Sequence, residues 1–201
     1  MKEFCLNIEL FKVIDNNGQI YYGCDQAWYK DEWQKRAGCG PSVASNIILY
    51  LKANNKIYSK KDEVLLLMQE CWDNVTPGEM GIPSTKIFCE AMDKYLLNKF
   101  PHKCLDVVEN NRTRPDISEI IIFIEKKIKK DSPVAFLNLC NGNEVALECW
   151  HWVTIISCKY DENLDVGEIG IIDQGKVKKI NLLNWYNSTT RGGGFVYFLK
   201  K

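Results

Sequence analysis

The chain has 201 residues, 46% of them hydrophobic and 26% charged, an ordinary composition for one globular domain with a sizeable core. Its 26 lysines and arginines balance 26 aspartates and glutamates, so no basic face is demanded and we expect no nucleic-acid partner. No run approaches the roughly 18 apolar residues of a membrane helix. The N-terminus is too polar for a secretory signal. We therefore expect a cytoplasmic protein without a membrane segment.

Cysteine and histidine limit the chemistry that the chain can carry. There are nine cysteines and two histidines. The cysteines are odd in number and scattered, and no two have C-x-x-C spacing, which predicts reduced thiols rather than a disulfide framework. With so few histidines, a structural zinc site is not expected. The sequence implies no metal and no cofactor.

The first part of the chain is predicted to form a hairpin and then helices. Residues 6–23 place Asn-Gly between two apolar runs, which predicts a hairpin turn. A loop rich in Trp and Tyr follows, and we expect its rings to pack at the loop base rather than to line a substrate groove. Apolar residues at helical spacing then predict four helices, at Pro41 to Ala53, Lys61 to Cys71, Pro83 to Asn98 and Ile117 to Lys130.

The last third of the chain changes character. Segments rich in β-branched and aromatic residues predict five strands, near 134–139, 150–158, 168–172, 177–180 and 194–199. Helices first and antiparallel strands second is the order of an α+β protein. We therefore expect one domain over residues 1–201, with a hairpin over about 1–23, a mainly helical half over about 24–130 and an antiparallel sheet half over about 131–201.

One cysteine has the local setting of a nucleophile. Cys39 lies in the turn Gly38-Cys39-Gly40-Pro41, where an apolar helix is predicted to begin. The two glycines are expected to let backbone and substrate approach the sulfur, and proline is tolerated in a first helical turn. The positive end of the helix dipole favours the thiolate, which is the reactive form.

A cysteine nucleophile needs a base that holds it as an ion pair and later protonates the leaving group. His151 begins a predicted strand, which would fix its side chain at a sheet edge. A hydrogen-bonded core histidine is an equally good interpretation of that position alone. His102 follows Pro101 in a predicted loop, and we expect it to be a solvated surface residue.

A third group must orient the imidazole. Asp173 ends the strand predicted after the one that carries His151. Because antiparallel neighbours bring the start of one strand near the end of the next, these two residues can be adjacent. Asp161 and Asp165 lie in the connecting turn, at the opposite end of the hairpin. A turn-capping role for Asp173 fits its position as well.

Acyl transfer also needs hydrogen-bond donors for the oxyanion. The backbone N–H of Cys39, at the helix start, supplies one. Gln34, five residues upstream in the loop that must pass beside the sulfur, is our candidate for the second. Gln26, thirteen residues upstream, is the weaker rival.

The order of these residues resembles the papain-like cysteine peptidases. A glutamine, the Gly38–Pro41 turn, Pro133-Val134 opening a strand, His151-Trp152-Val153 and an aspartate after the next strand follow one another as in that superfamily. The closest resemblance is to double-glycine bacteriocin-leader peptidases and their stand-alone relatives. Papain itself differs, with tryptophan after the cysteine and asparagine as the third member, and its glutamine lies one residue further from the cysteine.

The resemblance implies a papain-like α+β fold in which the nucleophile helix packs on an antiparallel sheet. It implies a cysteine peptidase that acts on a peptide or protein substrate through a thioester, without cofactor or metal. Cys39 would be the nucleophile, His151 the base and acid, Asp173 the orienting group and Gln34 the oxyanion donor. Two alternatives stay open: acyl transfer to an amine, as in transglutaminase-like relatives, and a non-catalytic binding module with the same shell.

Overall fold

A computed structural model describes residues 1–53, 58–97, 99–109 and 112–199 of the chain. These residues form six α-helices: α1 (Glu32–Ala37), α2 (Cys39–Leu51), α3 (Lys61–Asn74), α4 (Thr85–Tyr95), α5 (Ile117–Ile128) and α6 (Leu182–Ser188). They also form ten strands: β1 (Lys2–Cys5), β2 (Lys12–Ile14), β3 (Ile20–Tyr22), β4 (Ser59–Lys60), β5 (His102–Val107), β6 (Val134–Asn138), β7 (His151–Tyr160), β8 (Gly167–Asp173), β9 (Lys176–Asn181) and β10 (Gly193–Phe198).

Seven strands form one antiparallel sheet, which is the centre of the fold. Its order is β5-β10-β6-β7-β8-β9, and β1 pairs with the second half of β7. Helices cover both faces of β6, so all five of its residues are buried. Ala135 and Leu137 pack into a cluster with α2 and α4, whereas Val134 and Phe136 pack into one with α5 and α6. The predicted α+β class is confirmed.

The helices and strands predicted from periodicity are present, with ends that shift by a few residues. The nucleophile helix begins two residues earlier than predicted, at Cys39 itself. The predicted end of the third helix at Asn98 lies outside the described residues. In the predicted hairpin, residues Ile8–Phe11 form a 3₁₀ turn, so the paired strands are only β2 and β3.

Several short elements have no clear pattern in the sequence. Strands β1 and β5 come from before residue 131, yet they pair with β7 and β10 and complete the large sheet. Helix α6 buries only Leu182 and Trp185 within a polar stretch. Our placement of His102 in an exposed loop was wrong, because it opens β5. Its Nδ1 lies 2.9 Å from Oδ1 of Asp93, and its ring packs against Phe198.

The described ranges contain neither a helix that could span a membrane nor a cluster of side chains that could hold a metal ion. None of the helices there is both long enough and apolar enough to cross a membrane. In the same ranges, no group of three or more His, Cys, Asp and Glu side chains is arranged to hold a metal ion. The single domain and the cytoplasmic location stay predictions.

Asn46, on α2, ties this helix to the sheet and to an earlier loop. Its side chain is buried; Oδ1 accepts from the backbone N–H of Cys24 at 2.7 Å, and Nδ2 donates to the Thr154 hydroxyl on β7 at 3.1 Å. Gly23 packs so closely that a Cβ there would lie 2.6 Å from the Asn46 oxygen. One amide thus fixes the relative positions of α2, β7 and the loop after β3.

We expect the Asn46→Leu variant to lose roughly 2–4 kcal/mol of unfolding free energy, because the substitution strips two buried polar groups of their partner. Urea denaturation measures the loss. Asn16→Leu is the control, since the hydrogen bond that the Asn16 side chain donates to Asp62 is exposed to solvent, and it should change stability by less than about 0.5 kcal/mol. An equal loss in both variants would contradict the buried link.

Candidate active site

Cys39 is the first residue of α2, and two glycines set its position. Gly38 separates α1 from α2, and a Cβ on it would lie 2.6 Å from the ring of Tyr29. A Cβ on Gly40 would lie 2.6 Å from Cδ1 of Ile82. The glycines therefore admit close packing by the protein's own side chains, and not the approach of substrate that we expected. This packing holds the sulfur in place.

His151 opens β7 and Asp173 ends β8, and both side chains are buried. The Nε2 atom of His151 lies 2.7 Å from Oδ1 of Asp173. The register of the sheet explains this contact, because Thr154 pairs with Ile172 and so the start of β7 meets the end of β8. The structure therefore brings these two predicted site residues together.

Cys39 lies beside this pair, since its side chain and that of His151 line the same narrow pocket, and its interaction with the imidazole raises the pKa of His151. Asp173 occupies Nε2, so Nδ1 is the nitrogen left for the sulfur. An ionised carboxylate can only accept a hydrogen bond, which places a proton on Nε2 and leaves Nδ1 to exchange a proton with the sulfur. These groups lie between the first residue of α2 and the last residue of β8.

The charged forms of these groups stabilise one another. Burial acts to lower the pKa of His151, but its hydrogen bonds to Asp173 and Cys39 outweigh burial and raise the pKa to about 10. Burial acts to raise the pKa of Asp173, but hydrogen bonds from His151 and Lys178 hold it below its usual value. The carboxylate is therefore ionised at neutral pH, and the imidazole readily takes up a proton.

Gln34 does not join these three residues. Its Nε2 donates to Oε1 of Gln69, on α3, at 3.3 Å on the exposed surface. What approaches the nucleophile turn is its backbone carbonyl, which would lie 2.4 Å from a Cβ on Gly38. The physical reason is that residues Glu32–Ala37 are helical and not a loop, so the turn of α1 directs the Gln34 side chain towards α3.

Gln26, the weaker rival, lies beside the nucleophile instead. Its side chain is half-buried and donates to the backbone carbonyl of Lys35, four residues before Cys39. Together with Cys39 and His151, it lines a narrow pocket of about 10 Å³. Such a pocket has room for little more than one water-sized group. The 3₁₀ turn Gln26–Trp28 brings this residue back towards the start of α2, which sequence distance does not reveal.

A wider cavity of about 260 Å³ also borders Cys39. Its walls are mainly aromatic and aliphatic, from Trp33, Met80, Ile82, Leu137, Trp150 and Trp152, and Arg36 and Glu79 add charge. The aromatic residues of the predicted loop, of which Trp33 lies in α1, thus divide between packing at the loop base and lining a groove. Trp28 and Tyr29 pack in a core cluster, whereas Trp33 faces the cavity.

Two tryptophans flank His151 and were not among the predicted site residues. Trp152 donates from Nε1 to the carbonyl of Ile82 at 2.8 Å and stacks on Phe88. Trp150 is 42% exposed and has a φ of 55°, an uncommon backbone conformation for a bulky residue. The signal in the sequence was the Trp-His-Trp triplet itself. The start of β7 therefore fixes the imidazole and builds a cavity wall at once.

No protein-family model and no curated protein matches the chain. Among solved structures, it is similar to the crystal structure of UfSP from C. elegans, with a TM-score of 0.53 and 10% sequence identity. The likeness covers 100% of this chain and 34% of that one, so the chain spans about a third of the length of the structure it matches. At this identity the likeness carries the fold alone, which is a mixed α+β fold with a large antiparallel sheet.

Proposed function

We propose that this protein is a cysteine peptidase, a thiol hydrolase that cleaves peptide or amide bonds through a thioester on Cys39. One observation carries the proposal: Cys39 lines a narrow pocket together with His151, which is bound to the buried Asp173, and Cys39 also borders a cavity of about 260 Å³. A histidine with a purely structural role in the core needs no ionised carboxylate on one nitrogen and a thiol on the other. The papain-like fold supports the proposal at the level of architecture.

In the first half of the reaction, His151 takes the thiol proton and the Cys39 sulfur attacks the carbonyl carbon of the scissile bond. Asp173 stabilises the imidazolium that forms. The tetrahedral intermediate then collapses as the C–N bond breaks, and His151 gives its proton to the leaving amine. The acyl group stays on the sulfur as a thioester.

In the second half, water replaces the amine and the same groups act in reverse. His151 removes a proton from water, hydroxide attacks the thioester carbon, and the C–S bond breaks to release the carboxylic acid and the thiol. In both halves a negative oxygen forms, for which we assign as donors the Cys39 backbone N–H and the second N–H of Gln26 Nε2, whose first N–H donates to the Lys35 carbonyl. Gln26 replaces Gln34 in this role because it lines the narrow pocket beside the sulfur.

The substrate class is part of the proposal. The aromatic and aliphatic walls of the wide cavity suit an apolar side chain of a peptide or protein. The relation to double-glycine leader peptidases rests on the order of these residues along the chain and stays a prediction.

We expect iodoacetamide near neutral pH to alkylate Cys39 at least about tenfold faster than the exposed Cys104, because an imidazolium beside the sulfur stabilises the thiolate. Peptide mapping by mass spectrometry measures each rate. The measurement is made in Cys140→Ser protein, since hydrogen bonds from Thr190 lower the pKa of Cys140 to about 7 and make it a second reactive thiol.

His151→Ala should slow this alkylation to the rate of an ordinary thiol. Cys71 is the unreactive reference, because burial raises its pKa to about 12. If Cys39 reacts no faster than Cys71 or Cys104, the activated thiolate is excluded.

Cys39→Ala should abolish hydrolysis of a peptide library, and His151→Ala should reduce its rate by roughly 10²–10⁴, the usual contribution of a general base. Mass spectrometry of the products against the Cys39→Ala blank gives both the rate and the cleavage sites. Cys104→Ala is the matched control and should retain full activity. Products that carry an added amine in place of water would indicate acyl transfer instead of hydrolysis. Alkylation of Cys39 without any peptide turnover would indicate a binding module.

Gln26→Ala should lower kcat by roughly 10², the cost of one oxyanion donor. Gln34→Ala is the matched control, the same substitution on α1. It should keep kcat within about twofold, since the Gln34 side chain donates a hydrogen bond to Gln69 and not to the site. Steady-state kinetics on a cleaved library peptide measure both. The reverse result would restore Gln34 as the donor.

A further inference from the structure

The Asp173 carboxylate has a second partner besides the imidazole. Its Oδ1 faces His151, and its Oδ2 lies 2.7 Å from Nζ of Lys178. The carboxylate is only 5% exposed, so both charged contacts are made with little competition from water. The lysine side chain itself is 32% exposed and reaches the carboxylate from the solvent edge of the sheet.

The sheet register fixes this contact. Lys178 on β9 lies opposite Ile171 on β8, and Asp173 is two residues further along β8. The two side chains are therefore diagonal neighbours, within reach of a long side chain. Both strands are paired along this length, so the backbone keeps the Lys178 side chain within reach of Oδ2.

We propose that Lys178 is a positioning residue of this site: its ammonium holds the carboxylate of Asp173 with Oδ1 aimed at Nε2 of His151 and offsets part of the carboxylate charge. The inference rests on the peptidase function proposed above. A general acid must release its proton to the leaving group. A buried carboxylate with no second cation beside it would stabilise the imidazolium too strongly for that release. A cation on the other oxygen weakens the hold while it keeps the geometry.

Charged and titratable groups surround the imidazole from several parts of the fold. They are Cys39 on α2, Asp173 on β8, Lys178 on β9, Glu148 in the loop before β7 and Cys24 in the loop before α1. Glu148 is exposed and accepts a hydrogen bond from Gln174 at 3.3 Å, and Cys24 is a buried thiol. Within this set, Lys178 is the cation that touches the partner of the histidine.

The test is an NMR titration of the histidine side chains of the full chain in a Cys39→Ala background, where the sulfur no longer contributes. We expect Lys178→Met to raise the measured pKa of His151 by about half a unit or more, because a like charge beside the imidazolium is removed. Lys178→Arg keeps the charge and should restore the original value. His102, bound to Asp93 on another part of the sheet, is the internal reference and should not move.

Lys179→Met is the matched control. Lys179 lies on the same strand and forms an ion pair with Glu168 on β8 at 2.9 Å, so this substitution removes the same charge at a position away from the site. It should leave the His151 titration unchanged. Lys178→Gln provides a second uncharged variant if the Lys178→Met protein fails to fold, and it should also raise the pKa of His151.

With Cys39 intact, Lys178→Met should shift the alkaline limb of the kcat/KM profile to higher pH. It should lower kcat near neutral pH several-fold with KM unchanged, since Lys178 does not line the wide cavity. A His151 titration that does not respond to Lys178→Met, or responds equally to Lys179→Met, overturns the inference. The proposed peptidase function fails on a different measurement, namely hydrolysis that persists in the Cys39→Ala protein. The His151 titration requires no turnover and so tests the role of Lys178 separately.

Discussion

The hydrogen bond between His151 and Asp173 is the contact on which the candidate site depends. Both groups are buried, and a charge taken out of water is stable only when an opposite charge or a good donor replaces the lost hydration. Removing one partner of such a pair typically costs about 3–5 kcal/mol. The imidazole can therefore keep a proton inside the protein only while β7 and β8 hold their register, which links protonation of the site to the integrity of the sheet.

A second constraint brings the sulfur to this pair. The nucleophile lies on a helix and its base on a strand more than a hundred residues later, so no local rule sets their separation. Asn46 supplies the link, because it bonds to the His-bearing strand and to the loop that leads to Gln26. Its hydrogen bonds are directional in a way that apolar packing is not. The helix is therefore fixed in rotation as well as in distance from the sheet.

Sequence patterns predicted the elements that carry most of the site: apolar residues at helical spacing indicated α2, and segments rich in β-branched and aromatic residues indicated β7 and β8. The order of the strands allowed His151 to lie beside Asp173, and the register of β7 with β8 makes that contact. The oxyanion donor was not accessible in the same way. The choice between Gln26 and Gln34 depends on α1, a helix of six residues that buries only Ala37 and so has almost no pattern to detect. Strands β1 and β5 were missed for a similar reason, since they are largely exposed.

The two spaces that border Cys39 have different consequences for the reaction proposed here. The narrow one, with Gln26 and His151, has room for a carbonyl oxygen but not for a side chain. The wide one has aromatic walls and is the space that suits a substrate side chain in the proposed reaction. In that proposal the amide oxygen enters the first space and the adjoining side chain enters the second. Because Trp152 follows His151 and bonds to the Ile82 carbonyl of that wall, the strand that positions the base also orients the bond it would act on.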